Sequence, residues 1–297
     1  MNYLITGGTG SLGTHLAKKL IKEGENVTIF SRDEYKQRKM LREVKARYIV
    51  GDVRDPISTI KAFKDIDVVI HTAALKHVPV GEEQPEETIM TNVFGTTNVI
   101  HACKVNNVKK CILISTDKGS HPTTLYGATK MVAEKLFISA NQQSQTTFSC
   151  VRYGNVIGSR GSVIETILID KPKKLTITDN RMTRFWITLD QACNLIFLAL
   201  DKMKGGEVFI PKIPSMSVVN MFKALAPDTK LTVTGMRPGE KLHEALINKD
   251  ESIHTKEYDD HYVIEPELFG ITYSDRIFEY TSENAKRLTK EEFLKLI

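Results

Sequence analysis

Seven residues near the amino terminus constrain this chain more than any others: Gly7-Gly8-Thr9-Gly10-Ser11-Leu12-Gly13. They follow a β-branched run, Tyr3 to Thr6, and precede a segment in which Leu12, Leu16 and Leu20 recur every fourth residue while Lys18, Lys19 and Lys22 fall elsewhere. A strand, a glycine turn and an amphipathic helix in that order predict the opening of a βαβ unit. Such a turn lets backbone approach a pyrophosphate and aims helix-terminal amides at it. Gly7, Gly10 and Gly13 set the spacing G-x-x-G-x-x-G, and Thr9, Ser11 and Leu12 are placed with them as cofactor contacts.

Beyond the turn, short β-branched runs alternate with amphipathic segments as far as about Arg152, which predicts an α/β fold with a Rossmann doubly wound parallel sheet. Strands are read at Val27 to Phe30, Tyr48 to Val50, Val68 to His71, Cys111 to Ser115 and Phe148 to Arg152. After Gly154 the alternation decays into loops, shorter strands at Leu175 to Thr178 and Val208 to Ile210, and helices at Leu189 to Met203 and Val218 to Ala226. Residues 1–160 are therefore expected to form a dinucleotide-binding Rossmann domain, and 161–297 mainly a smaller C-terminal substrate-binding region. The Leu189 helix is expected to pack back on the sheet.

Charge and cysteine usage narrow the function classes. The formal charge of +5, from 41 basic against 36 acidic residues, is dispersed along the chain, which argues against a nucleic-acid partner. The most basic stretch, Lys36 to Arg47, carries Leu41 and Val44 and is read as a solvated helix face. Cys103, Cys111, Cys150 and Cys193 sit among apolar neighbours without C-x-x-C spacing, as buried reduced thiols of a cytoplasmic protein would. Met1 leads straight into a strand, so neither a signal peptide nor a membrane partner is expected. His71 and His77 lack a third ligand at metal spacing and are read as structural, with no metal.

The second strand closes on Phe30 and is followed by Ser31-Arg32-Asp33, with Lys36 one turn on. An arginine here pairs with a 2′-phosphate and favours NADP; Asp33 beside it keeps NAD as the alternative, through a ribose hydroxyl. Asp52 and Val53 after the third strand fit an adenine contact or a plain turn. Thr72, Ala73 and Ala74 after the fourth supply small residues for a close passage of the dinucleotide, or tight packing alone.

The fifth strand ends in Ser115-Thr116-Asp117-Lys118, and Tyr126 and Lys130 follow at helical spacing. Polar residues at the carboxyl end of a parallel strand face the ligand crevice. Tyr126 and Lys130, four apart, share one helix face, where an ammonium favours a phenolate whose ordinary pKa is about 10. The set forms a candidate catalytic constellation for proton removal from a hydroxyl.

With these segments in hand, the chain resembles the extended short-chain dehydrogenase/reductase family over essentially its whole length. Within it, the chain is similar to the inverting UDP-N-acetylglucosamine 4,6-dehydratases of polysaccharide and pseudaminic acid biosynthesis. The matching stretches include Ser31-Arg32-Asp33-Glu34, Ala74-Leu75-Lys76-His77-Val78-Pro79, Leu125-Tyr126-Gly127-Ala128-Thr129-Lys130, Arg152-Tyr153-Gly154-Asn155-Val156, Arg181-Met182-Thr183-Arg184-Phe185-Trp186 and Arg237-Pro238-Gly239-Glu240-Lys241. Related glucose dehydratases carry Asp-Glu in place of Asp117-Lys118, and the membrane-bound retaining enzymes commonly lack the tyrosine.

The resemblance implies NADP, recycled within the reaction, and UDP-N-acetylglucosamine as substrate. It also implies a homo-oligomer, with hexamers known among similar enzymes. It places Lys76, Asn155, Val163, Arg181, Thr183, Arg237 and Glu240 at the substrate, with Asp117 and Lys118. It places Val156, Ile157, Gly158, Ser159 and Arg160, again with Lys76, along the cofactor. Arg184 is left between packing and an internal ion pair.

The implied chemistry gives Tyr126, held by Lys130 and aided by Thr116, the proton of the hydroxyl at carbon 4. Lys118, kept neutral by Lys130 or by burial, then takes the proton at carbon 5, and Asp117 protonates the hydroxyl leaving carbon 6. The alternatives on the same scaffold are a retaining dehydratase and a nucleotide-sugar 4-epimerase; a non-enzymatic NADP-binding scaffold is the alternative of another class.

Overall fold

The computed structural model describes residues 1–142, 144–172, 174–266 and 276–297. In chain order its strands are β1 (Asn2–Thr6), β2 (Asn26–Ser31), β3 (Arg47–Val50), β4 (Val68–His71), β5 (Lys110–Thr116), β6 (Thr147–Tyr153), β7 (Asn155–Val156) and β8 (Lys174–Ile177). They continue as β9 (Thr183–Ile187), β10 (Val208–Pro211), β11 (Ser215–Ser217), β12 (Lys230–Val233), β13 (Ala245–Ile247), β14 (Thr255–Glu257), β15 (His261–Ile264) and β16 (Tyr280–Thr281).

Nine of these form one sheet in the order β14-β15-β10-β6-β5-β4-β1-β2-β3. From β3 across to β10 every pairing is parallel, and β15 and β14 continue the edge antiparallel. The central strands are apolar on both faces because helices cover both: Leu4, Ile5, Ile29, Val69, Ile70, Ile112 and Leu113 are all buried. Strand order reverses between β1 and β4, and in an open α/β sheet that switch point is where the carboxyl ends of the strands leave a crevice for ligands.

The six strands read from the first half of the sequence all lie in this sheet, and the Leu189–Lys202 helix packs against β5, β6 and the Ser11–Lys22 helix. The sheet also recruits β10, β14 and β15 from beyond residue 160. A second, smaller core lies apart from it, built on Ile164, Ile167, Trp186, Met216, Phe222 and Phe293.

One helix is shorter than its sequence pattern suggests. Asp33 caps the Glu34–Leu41 helix, which ends before Val44; Leu41 is 55% exposed and Met40 makes the buried contact instead. The basic stretch is therefore a short helix followed by a turn, and Gln37 anchors the helix by donating to the carbonyls of Ser31 and Ile49. All four cysteines are free and buried. Among the described residues no helix is long and apolar enough to cross a membrane.

His71, at the end of β4, is buried between the hydroxyls of Thr6 (2.7 Å) and Thr96 (3.1 Å). Burial first, and then the charge of Lys130, push its pKa down from 6.5 to about 3. The unfolded chain therefore binds a proton that the folded chain refuses. Stability contributed by the neutral ring is complete above pH 6.5 and is lost as pH falls toward 3, at on the order of 1.4 kcal/mol per pH unit. Urea unfolding at stepped pH should show this slope in the native chain and a flatter one in His71→Asn; equal slopes would reject the assignment.

Candidate active site

The glycine turn sits at the switch point and its geometry explains its composition. Gly7 adopts φ +62°, and a Cβ there would lie 2.8 Å from Ala73 Cα; a Cβ on Gly13 would lie 2.6 Å from Gly8 Cα. The first position lets the turn approach the β4 end, and the second lets the helix close on the turn. Gly10 caps the Ser11–Lys22 helix without a side chain, so the helix-terminal amides are left for an anionic ligand. A pyrophosphate suits this turn, whose helix-terminal amides no side chain caps.

Arg160, far along the chain, closes over the same turn. Its backbone N–H donates to Ser11 Oγ at 2.9 Å and its guanidinium to the Thr9 carbonyl, while Lys76 Nζ donates to the Arg160 carbonyl at 3.1 Å. Lys76, Ser11 and Arg160 are thus brought together. Ile157 is buried in the smaller core and Leu12 packs on the main one, which leaves them only backbone to offer a ligand.

A cleft at the ends of β1, β2 and β3 is lined by Gly7, Thr9, Ser31, Arg32, Asp33, Lys36, Asp52, Val53, Ala73 and Ala74. Asp33 is engaged within the protein: one oxygen accepts the Lys36 backbone N–H at 2.9 Å and the other pairs with Lys36 Nζ at 3.0 Å. Those contacts hold its carboxyl below the usual range. Arg32 faces the cleft with a looser partner, Asp52, at 3.6 Å. Thr72 turns its hydroxyl onto the Thr6 carbonyl and serves the strand end.

At the end of β5 the chain makes one tight turn, Asp117–Gly119, that concentrates the chemistry. Thr116 Oγ1 and Lys118 Nζ both donate to Asp117 Oδ1 at 2.9 Å; Asp117 is 0% exposed, and its Oδ2 has no hydrogen-bond partner among the described residues. The Leu125–Ala140 helix brings Tyr126 against this turn. It can come so close because the next residue is Gly127, where a Cβ would stand 2.3 Å from the Lys118 carbonyl oxygen. Asn155, from β7, lies 3.5 Å from Lys118 Nζ.

The charge states differ from the sequence expectation in two places. Lys118 is not crowded into neutrality: burial works to lower its pKa, but Asp117 and Glu244 outweigh it, and the ammonium is held above its usual value. Nor does Lys130 make a phenolate of Tyr126. Burial raises the tyrosine, Lys118 opposes that, and the net shift is upward. Lys130 itself is buried and pushed down to about 8, with Glu134 and Cys150 only partly restoring it.

The polysaccharide biosynthesis protein family matches residues 3–266 of this sequence. The chain belongs to that family. It is 49% identical over 278 residues, covering 90% of this chain and 83% of the relative, to the UDP-N-acetylglucosamine 4,6-dehydratase (inverting) of Campylobacter jejuni subsp. jejuni serotype O:23/36 (strain 81-176). It is 38% identical, over 99% of this chain and 94% of the relative, to the UDP-glucose 4-epimerase of Rickettsia bellii (strain OSU 85-389). Among solved structures, that of Pen from Bacillus thuringiensis superposes with a TM-score of 0.93 at 39% identity, covering 100% of this chain and 96% of the other.

In this member of the polysaccharide biosynthesis family, the residues expected at the substrate are placed unevenly. Asn155 and the Asp117–Lys118 pair meet at one point. The Arg237–Glu240 turn is drawn toward the Tyr126 helix, since Thr123 Oγ1 donates to the Gly239 carbonyl at 2.7 Å, and Arg237 itself is exposed. Val163, also exposed, begins a helix beside Arg160. Arg181 folds back on Asp179, with its side chain 69% exposed. Thr183 is 3% exposed and its hydroxyl is held by His243 (2.8 Å) and Ser282 (2.7 Å).

Arg184 resolves as an internal ion-pairing group, donating to the Thr183 and Leu242 carbonyls and standing 3.9 Å from Glu244. Glu244 was absent from the sequence reading; it is a buried carboxylate 3.6 Å from Lys118 Nζ. The only signal for it was its place three residues after Lys241, at the end of a matching motif.

Proposed function

We propose that this chain is an NADP-dependent UDP-N-acetylglucosamine 4,6-dehydratase of the inverting type. The observation that carries the reading is the Asp117–Lys118 hydrogen bond at 2.9 Å, at the carboxyl end of β5 beside Tyr126. An epimerase needs the tyrosine and the cofactor but no paired acid and base for carbons 5 and 6. The 49% identity to an enzyme named for this dehydration supports the same choice over the epimerase at 38%.

When bound, the nicotinamide accepts hydride from carbon 4 of the sugar and gives it back at carbon 6. The chain's residues manage the protons. Tyr126 takes the proton of the hydroxyl at carbon 4, with Thr116 steadying that oxygen. Burial holds the Tyr126 pKa up, and Lys118 and a hydrogen bond with Thr116 work against it.

Lys118 and Asp117 then act as a pair. Passage of one proton from the ammonium to Asp117 leaves a neutral amine and a carboxylic acid, with no net charge moved into the buried site. The amine removes the proton at carbon 5, now acidified by the neighbouring ketone, and the acid donates to the hydroxyl departing carbon 6 as water. Return of a proton to carbon 5 from the other face inverts that centre.

NADP is favoured over NAD because Arg32 faces the cleft while both Asp33 oxygens are taken by Lys36. Arg32→Ala should weaken NADP by about 10- to 100-fold, the value of a charge-assisted contact, and leave NAD nearly unchanged. Fluorescence titration of both dinucleotides checks this, and an equal loss for the two would reject it. Buried free thiols suit a reducing, cytoplasmic compartment.

The test of the whole reading is incubation with UDP-N-acetylglucosamine in deuterated water. A product lighter by one water, labelled at carbon 5 with inverted configuration, is expected. Retained configuration points to the other dehydratase, and an isomeric product without label at carbon 5 to an epimerase.

A further inference from the structure

We propose that Glu244 is a positioning residue for Lys118, an alternate counter-ion that keeps the amine in the site when Asp117 turns to the leaving group and so sets the pH range in which dehydration runs. This rests on the dehydratase reading given above. Asp117 has two duties that conflict. Its Oδ1 already accepts from Thr116 and Lys118, and a carboxyl that donates to a departing hydroxyl no longer holds an ammonium beside it. A second carboxylate removes the conflict.

Glu244 is built for that place. Its carboxylate is buried among three cations, Lys118 Nζ at 3.6 Å, Arg184 Nε at 3.9 Å and Lys241 Nζ at 4.0 Å, each beyond hydrogen-bonding distance. Its Oε2 has no hydrogen-bond partner among the described residues. Leaving a buried carboxylate oxygen unpaired is costly, and folds seldom retain one without use.

The backbone holds it rigidly even so. The Glu244 N–H donates to Ser282 Oγ at 2.9 Å, Ser282 N–H donates to the Glu244 carbonyl at 2.7 Å, and the next residue pairs with Thr281 in the β13–β16 ladder. A carboxylate on an anchored backbone, just out of reach of a lysine on a long stem, is an acceptor the amine can swing to.

The groups facing Lys118 are Asp117 on its own turn, Tyr126 on the Leu125–Ala140 helix, Asn155 on β7, Arg184 on β9, and Lys241 and Glu244 from the segment entering β13. Of these, Asp117 and Glu244 favour the ammonium. The Glu244 charge raises the proton affinity of Lys118, so removing it moves the limb of the pH profile that Lys118 sets to lower pH.

The experiment is the pH profile of carbon-5 deuterium incorporation from UDP-N-acetylglucosamine with the full-length native chain, Glu244→Gln, Glu244→Asp and Lys241→Gln. Glu244→Gln should displace that limb by about 1 to 3 pH units toward acid, the range for loss of one close opposite charge. Glu244→Asp, which keeps the charge, should stay near the native profile.

Lys241→Gln removes a competing cation and should displace the same limb toward alkali, which keeps the proposal open to refutation even where Glu244→Gln does not fold. Profiles that coincide with the native one, with only a uniform fall in rate, overturn the proposal alone. A native chain that forms no dehydrated product overturns instead the reading on which it rests.

Discussion

Lys118→Ala is expected to lower dehydration of UDP-N-acetylglucosamine by on the order of a thousandfold or more, the range general acid–base groups supply, while the nicotinamide cofactor still binds. Among the described residues no other amine lies within bonding distance of Asp117, so in the proposed mechanism nothing replaces the base at carbon 5. The loss has two sources that a second variant separates. Removing the lysine strips the base and also leaves the fully buried Asp117 without its cation.

Lys118→Arg keeps the cation and its pairing, but a guanidinium does not give up its proton in a protein. It should therefore be nearly as inactive as the alanine variant, and fold better. Quenched time courses read by mass and proton NMR in deuterated water measure both. An arginine variant within tenfold of the native rate would show that Lys118 supplies charge and not a base.

The glycine turn and the Ser115-Thr116-Asp117-Lys118 strand end were legible from sequence because their information is local: residue type, spacing and position between a strand and a helix decide them. The charge on Lys118 was not legible. It depends on Glu244, which arrives from 126 positions further along the chain and from another part of the fold. The surroundings of Thr183 were hidden for a related reason: it sits inside a matching motif, and its hydroxyl meets His243 and Ser282, partners that spacing cannot reveal. Strands β14 and β15 escaped because three or four residues give too few turns of alternation to stand out. The end of the Glu34–Leu41 helix was missed since Leu41 and Val44 are apolar at helical spacing, and only burial shows that the former faces solvent.

Arg152 carries the second large effect, and it is one of stability. Its side chain is 3% exposed and donates to Glu134 at 2.5 and 3.1 Å, to Glu251 at 2.8 and 2.9 Å, and to the Leu246 carbonyl at 2.9 Å. These contacts join β6, the Tyr126 helix and the Lys249–Ser252 helix, whose capping residue Asn248 also reaches Ser120. Desolvation works to raise the Glu251 carboxyl, and Arg152 overrides it and holds the group low.

Arg152→Met would leave two carboxylates largely buried with no cation, at a cost of about 3–5 kcal/mol. Arg152→Lys should recover little, since an ammonium cannot serve both carboxylates bidentately. A combined Arg152→Met, Glu134→Leu, Glu251→Gln chain should recover much of the loss, because an apolar replacement of a buried ion cluster is often neutral. Because the folded Glu251 carboxyl is depressed, its share of the stability is full above the ordinary carboxyl range and disappears as pH falls through its folded value. Urea midpoints of the native chain and these variants at neutral and acid pH measure each term. A single-variant loss below about 1 kcal/mol, the scale of an exposed pair, would mean that water reaches the cluster and that it does not tie the helices together.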